Sequence, residues 1–207
     1  VGVWFSYDTT EGEQLEVRMG VSFVSVENAR LNLEAEQQER SFDDIRAAAR
    51  RSWNDDLGRI RVEGGTDAQK KVFYTGLYHA LIHPNVLSDV NGEYPAMESA
   101  EIRTAEGNRY TVFSLWDTYR NLHQLMTLVY PERQLEMVRS MIGMYKEWGW
   151  LPKWELYGRE TFTMEGDPAI PVIVDSWMKG LRDFDVAKAY EAMRKSATTP
   201  GAQNRMR

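Results

Sequence analysis

The chain has 207 residues, 43% of them hydrophobic and 27% charged, the proportions of a soluble globular protein long enough to bury a sizeable core. Against 25 Lys and Arg stand 31 Asp and Glu, a formal net charge of −6 with no basic run, which removes the electrostatic footing for nucleic acid or an anionic membrane. Cysteine is absent, so disulfides, thiolate zinc sites and cysteine nucleophiles are excluded, and no apolar stretch reaches bilayer length.

Val3 to Phe5 is a short strand candidate, and Leu15 to Val26 reads as one or two strands, with period-two alternation strong from Val21 onward. Thr10 to Glu13 is a turn able to join them as a hairpin. Two or three strands alone close neither a sandwich nor a barrel. From Ser41 the period becomes helical: Phe42, Ile45, Ala49 and Trp53 share a face, Ser41 is placed to cap, and Asp43 and Asp44 sit in the first turn. The stretch Leu33 to Arg40 can extend this helix upstream. Leu57 to Gly65 reads as a stop, a short strand and a turn. Thr66 and Gln69 predict a capping box for a helix through Val72, Phe73, Leu77 and Leu81 to His83, stopped by Pro84.

Asn85 to Asn108 is a long loop with one short strand near Ile102, and its length marks it as functional. Tyr110 to Phe113 is an extended entry to two helices, Asp117 to Val129 and Glu132 to Trp148. The second starts behind Pro131, carries Leu135, Val138, Met141, Ile142 and Tyr145 along one side, and ends at Gly149. Asp167 and Pro168 open another helix to Gly180, and Asp185 opens the last, ending near Lys195. An irregular tail starts at Thr198.

Seven Trp, ten Tyr and seven Phe favour a cleft that stacks against something flat, although a large helical core absorbs aromatics too. Two segments could carry chemistry. In Phe113 to Arg120, a carboxylate (Asp117) directly follows an indole (Trp116) at a helix start. That pair can take two sugar hydroxyls while the ring packs on the apolar face, or it can be a helix cap beside a core residue. Arg120, one turn on, can pair with Asp117 or reach a ligand. In the second segment Lys153, Trp154 and Glu155 are followed by Arg159, Glu160, Glu165 and Asp167, a charge density suited to a cleft wall or to a lattice that only orients the loop. Paired carboxylates there could do acid and base work on a glycosidic bond. His79 and His83 have the spacing of two metal ligands on one helix but lack a Glu between them, so core or surface histidines are the favoured reading. His123 is read the same way.

Five segments in order, Val21 to Arg30, Phe113 to Arg120 (Phe-Ser-Leu-Trp-Asp-Thr-Tyr-Arg), Gly149 to Glu155 (Gly-Trp-Leu-Pro-Lys-Trp-Glu), Met164 to Ala169 and Phe184 to Met193, resemble glycoside hydrolase family 92. These are calcium-dependent exo-acting α-mannosidases of glycan-degrading bacteria. The resemblance implies a mainly α fold, a partial (α/α)6 toroid preceded by a few β-strands from the end of a β-sandwich domain and a helical linker. Its partition is 1–31 for the sandwich end, 32–64 for the linker and 65–207 for the first part of the toroid. It implies inverting removal of terminal α-mannose, with the catalytic acid and base, and most calcium ligands, outside this chain, and a periplasmic or secreted location. Trp116 and Asp117 look like part of the pocket for the terminal mannose, with Arg120, Lys153, Trp154, Glu155, Glu160 and Asp167 as further substrate-binding candidates. Implied partners are mannose-containing glycans and the rest of the toroid, or self-association through apolar faces of the Phe73, Leu77, Val138 and Ile142 type. Another α/α-toroid glycosidase of trehalase or glucosidase type, and a non-catalytic carbohydrate-binding helical module, are the alternatives.

Overall fold

The computed structural model describes residues 2–200. Along them run helices α1 (Val26–Gln37), α2 (Phe42–Leu57) and α3 (Asp67–Ala80). A middle stretch follows with strands β1 (Asn85–Val86), β2 (Glu93–Pro95), β3 (Ile102–Thr104), β4 (Tyr110–Thr111) and β5 (Phe113–Ser114). Helices α4 (Leu115–Thr118), α5 (Leu122–Val129) and α6 (Pro131–Trp148) come next, then β6 (Trp154–Leu156), β7 (Arg159–Glu160), α7 (Ala169–Met178) and α8 (Val186–Thr198). The strands form three small antiparallel sheets, β1–β4, β2–β3 and β5–β6–β7, set among the helices rather than ahead of them. Of the irregular tail expected from Thr198, the part from Gly201 lies outside the described residues.

Local chemistry places the helix ends where the sequence puts them. Ser41 and Asp44 close a reciprocal capping box on α2, and Thr66 and Gln69 do the same on α3. Pro131 sits in the first turn of α6, and Gly149 ends it with φ +90°, a left-handed conformation that glycine enters without a Cβ clash. The Asp185 side chain accepts the Lys188 N–H at the start of α8. Two helices differ from expectation. α3 stops at Ala80, short of His83. The helix expected over Asp117 to Val129 is two, α4 and α5, because Asn121 lies between them at φ −142°, ψ −34°.

The strands expected at Val3 to Phe5 and in Leu15 to Val26 are not formed, nor is the one expected within Leu57 to Gly65. Alternation prescribes two faces, but a strand persists only where a neighbour takes its N–H and C=O groups, and none of the described strands pairs with these segments. Val3, Trp4, Phe5, Val17, Met19 and Val21 are instead exposed, and Ser25 caps α1 by accepting the Asn28 N–H. Side chains fasten the segment: Ser22 Oγ donates to Asp89 at 2.6 Å, and Asn32 Nδ2 donates to Asp89 at 2.6 Å and to the Val21 carbonyl at 2.8 Å.

α6 is the axis of the core. Its Met137, Val138, Met141, Ile142 and Met144 are buried, and it packs against α5, α7, α8 and β4. Val138, Ile142 and Leu77 are therefore not the open faces expected from the sequence, whereas Phe73 is 38% exposed. An exposed apolar surface lies on α7 and α8, where Val174, Trp177, Val186 and Tyr190 border a groove of about 220 Å³. At the other side of α6, the guanidinium of Arg109 binds Glu147 through two bonds of 3.0 and 2.9 Å. Glu147 also accepts from Tyr94 Oη at 2.9 Å and the Met97 N–H at 2.7 Å, so all four donors anchor the β1–β4 region to the helix. Gly143 makes room: a Cβ there would stand 2.5 Å from Arg109 Nη1. Gly→Ala inside an exposed helix stabilises by about 1 kcal/mol. With the guanidinium pinned, Gly143→Ala is expected to destabilise by about 1–3 kcal/mol in denaturant unfolding, and a gain in stability would contradict that packing.

Candidate functional site

β5 and β6 run antiparallel with Phe113 opposite Glu155 and Ser114 opposite Trp154, and β7 adds Glu160 opposite Glu155. That register brings the two sequence-predicted segments together. Trp154 Nε1 donates to Ser114 Oγ, and the Ser114 hydroxyl donates to Asp117 Oδ2. Asp117 is exposed on the α4 turn, next to a half-buried Trp116. Arg120 does not pair with Asp117; its guanidinium lies over the rings of Trp116 at 4.5 Å and Tyr119 at 5.0 Å. The result is a carboxylate turned by a hydroxyl, beside an indole stiffened by a stacked cation.

Behind this surface the charged segment works mostly on the backbone. Glu155 is fully buried. Its carboxylate accepts Thr111 Oγ1 at 2.8 and 3.1 Å, the Val112 N–H at 3.1 Å and the Gly158 N–H at 2.6 Å. Burial pushes its carboxyl up from the ordinary value, and these donors act in the opposite direction. Val112 and Tyr157 are held at φ +63° and +49°, left-handed conformations that cost L-residues energy and persist only when their surroundings fix them. Glu160, also buried, accepts the N–H groups of Lys153, Trp154 and Phe162 at 2.7, 2.9 and 2.9 Å. Desolvation holds the carboxyl of the half-buried Asp167 above its ordinary value, and the charge of the buried Lys153 opposes part of that rise. Glu165 and Arg159 stay exposed.

The histidines divide. His83 is off the helix that was to pair it with His79, and its Nδ1 lies 3.1 Å from Asn85 Oδ1. Among the described residues no group of three His, Cys, Asp or Glu is placed to hold a metal ion. His123 is 1% exposed, with Nε2 3.0 Å from Thr118 Oγ1 and Nδ1 3.0 Å from Gln134 Oε1. Burial drops its pKa to about 4. The sequence reading missed its tie to the Asp117 turn, and nothing in the helical period could have disclosed it. A separate cavity of about 450 Å³ lies between α2, the segment that follows α3, and α6, lined among others by Trp53, Asp56, His83, Tyr110 and Arg133.

Residues 28–207 match the glycosyl hydrolase family 92 catalytic domain. The chain belongs to this glycoside hydrolase family. It is similar to a family 92 α-mannosidase of Bacteroides thetaiotaomicron solved with mannoimidazole, at 36% identity and a TM-score of 0.83 over 87% of this chain and 24% of that one. A family 92 inverting mannosidase of the same organism matches at 35% identity and a TM-score of 0.82, over 88% of this chain and 25% of that one. An uncharacterized secreted glycosidase of Arthroderma benhamiae is 27% identical over 89% of this chain and 20% of its own length. The chain thus spans between a fifth and a quarter of these relatives.

Because His123 titrates near 4 when folded and near 6.5 when free, the unfolded chain takes up a proton that the folded chain refuses as pH falls between those values. Stability from this group is present above pH 6.5 and is lost toward pH 4. The full shift corresponds to about 3 kcal/mol. In denaturant unfolding at both pH values, His123→Gln should lose less stability on acidification than the wild type by an amount approaching that figure; equal losses would contradict the buried neutral imidazole.

Proposed function

We propose that this chain is part of an exo-acting, inverting glycosidase that removes terminal α-linked mannose from glycans, and that Trp116 and Asp117 grip the terminal sugar. The observation that carries this reading is the Trp154–Ser114–Asp117 chain, which aims an exposed carboxylate beside a half-buried indole. A carboxylate accepts two neighbouring sugar hydroxyls through charge-assisted bonds, and an indole packs against the C–H face of the ring. Arg120, stacked on Trp116, stiffens that ring and offers N–H donors to the same ligand. Trp154 acts through Ser114, Glu155 and Glu160 position the strands, and Lys153 and Asp167 complete the wall. The family match and the mannosidase relatives support the substrate class.

Inversion needs a protonated and an ionised carboxyl about 6.5–9.5 Å apart with room for water between them. Glu155 and Glu160 are buried and taken up by backbone donors, and Asp117 is bound by Ser114. The family resemblance assigns the catalytic acid and base to segments outside this chain, and the engagement of these three carboxylates supports that reading. The family resemblance implies calcium with most of its ligands outside this chain; no fitting ligand set is present among the described residues, and no step here runs through the ion. The division into a sandwich end (1–31), a linker (32–64) and the start of the toroid (65–207) belongs to the same proposal. The apolar groove between α7 and α8 suits the next toroid helices, and a periplasmic or secreted location agrees with the secreted relative.

The test uses the full-length protein and an aryl α-mannoside. Asp117→Ala should lower kcat/KM by at least about 100-fold, the loss of two hydrogen bonds to a charged group worth about 1.5–3 kcal/mol each. The 207-residue chain alone should give no turnover with calcium present. Turnover by that chain would return the acid and base to its own carboxylates, and an unaffected Asp117→Ala enzyme would remove Asp117 from the pocket.

A further inference from the structure

We infer that His123 is a positioning residue for Asp117: by accepting the Thr118 hydroxyl it anchors the α4 turn, and the direction of that bond is set by a buried relay that begins in α7. The inference rests on the reading of Asp117 as a sugar-binding group.

The relay begins at the Val172 carbonyl, which can only accept. The Ser176 hydroxyl spends its single proton there, at 2.8 Å. Its oxygen then accepts from Gln134 Nε2 at 2.9 Å, which fixes the amide with Oε1 toward His123. An amide oxygen only accepts, so the ring nitrogen facing it at 3.0 Å, Nδ1, must carry the proton. A neutral imidazole then has its lone pair on Nε2, and the Thr118 hydroxyl, 3.0 Å away, is the donor. His123 is 1% exposed and Gln134 and Ser176 are 0% exposed, so water has no access to replace any of these three. One arrangement of protons satisfies the whole chain, and it passes through α7, α6 and α5 before reaching α4.

α4 depends on such anchors. It has four residues, too few to persist through its own hydrogen bonds, and Ser114 makes no side-chain cap to its backbone. Ser114 instead holds the Asp117 carboxylate from the strand side, while Thr118, the next residue, is held from the core side by His123. Loss of the second hold leaves the carboxylate bound to a hydroxyl on a turn free to rotate, which weakens its grip on a sugar without touching the reacting groups.

In the full-length enzyme, Thr118→Val removes the donor with little change of shape at a half-buried site, and Thr118→Ser keeps it. Thr118→Val is expected to raise KM for an aryl α-mannoside about tenfold with kcat changed less than about threefold, the signature of lost uniform binding. Thr118→Ser should restore wild-type KM. Equal KM values for the Val and Ser variants would overturn the inference. A wild-type enzyme inactive on every α-mannoside would instead sink the functional reading. Neutron diffraction of the deuterated full-length protein then decides the relay independently of activity: a deuteron on His123 Nδ1 and none on Nε2 supports it, and the reverse overturns it.

Discussion

The Glu155 carboxylate reaches no water, and its two oxygens are shared among a threonine hydroxyl and two backbone N–H groups. Two of these donors, Thr111 and Val112, lie at the junction of β4 and β5; the third, Gly158, lies in the turn between β6 and β7. A buried anion without partners is expensive, so the donors must converge on it, and their convergence pins two chain segments that no long ladder joins. The left-handed Val112 and Tyr157 are the local cost of that convergence. Thr111 is bound twice over, since its Oγ1 also accepts the Tyr157 N–H at 2.8 Å.

What depends on this carboxylate is the register of β5 against β6. Ser114 must stand opposite Trp154 for the indole N–H to reach its oxygen, and Ser114 must be so held for its own proton to turn Asp117. A slip of one residue would send Trp154 and Ser114 to opposite faces. Glu160 supports the same strand from its other side by accepting the Lys153 and Trp154 N–H groups, and Glu147 repeats the device for the segment around β2 and the start of β4, with Arg109 and Tyr94 beside the Met97 N–H. Three buried glutamates thus take the place of extended sheet in fixing short strands among helices. The proposed hold on a sugar needs such fixity, because a carboxylate displaced by an ångström would lose two hydrogen bonds to adjacent hydroxyls.

The helices were legible because their signals are local. The Ser41 and Thr66 caps, Pro131 before α6, Gly149 after it and Asp185 before α8 each act within a few residues, and each stands where the sequence placed it. The strands were not, because a strand is defined by a partner the sequence does not name. Alternation at Leu15 to Val26 suggested a ladder where none forms, while Trp154 to Leu156, read as a charged loop, found β5 and became the middle strand of a sheet. The pairing of Trp116 and Asp117 as one feature was visible in their adjacency. The assignment of Glu155 and Glu160 to backbone donors was not, since a carboxylate in a sequence carries no mark of whether a ligand or an N–H will meet it.

Amide hydrogen exchange gives the most direct test of the Glu155 clamp. The N–H groups of Val112 and Gly158 lie outside any strand ladder, and their acceptor is this one carboxylate. Both are expected to exchange as slowly as the buried helical amides of α6 and to become fast together in Glu155→Leu. Exchange at the rate of the exposed Glu165 and Gly166 amides in the wild-type protein would contradict the clamp.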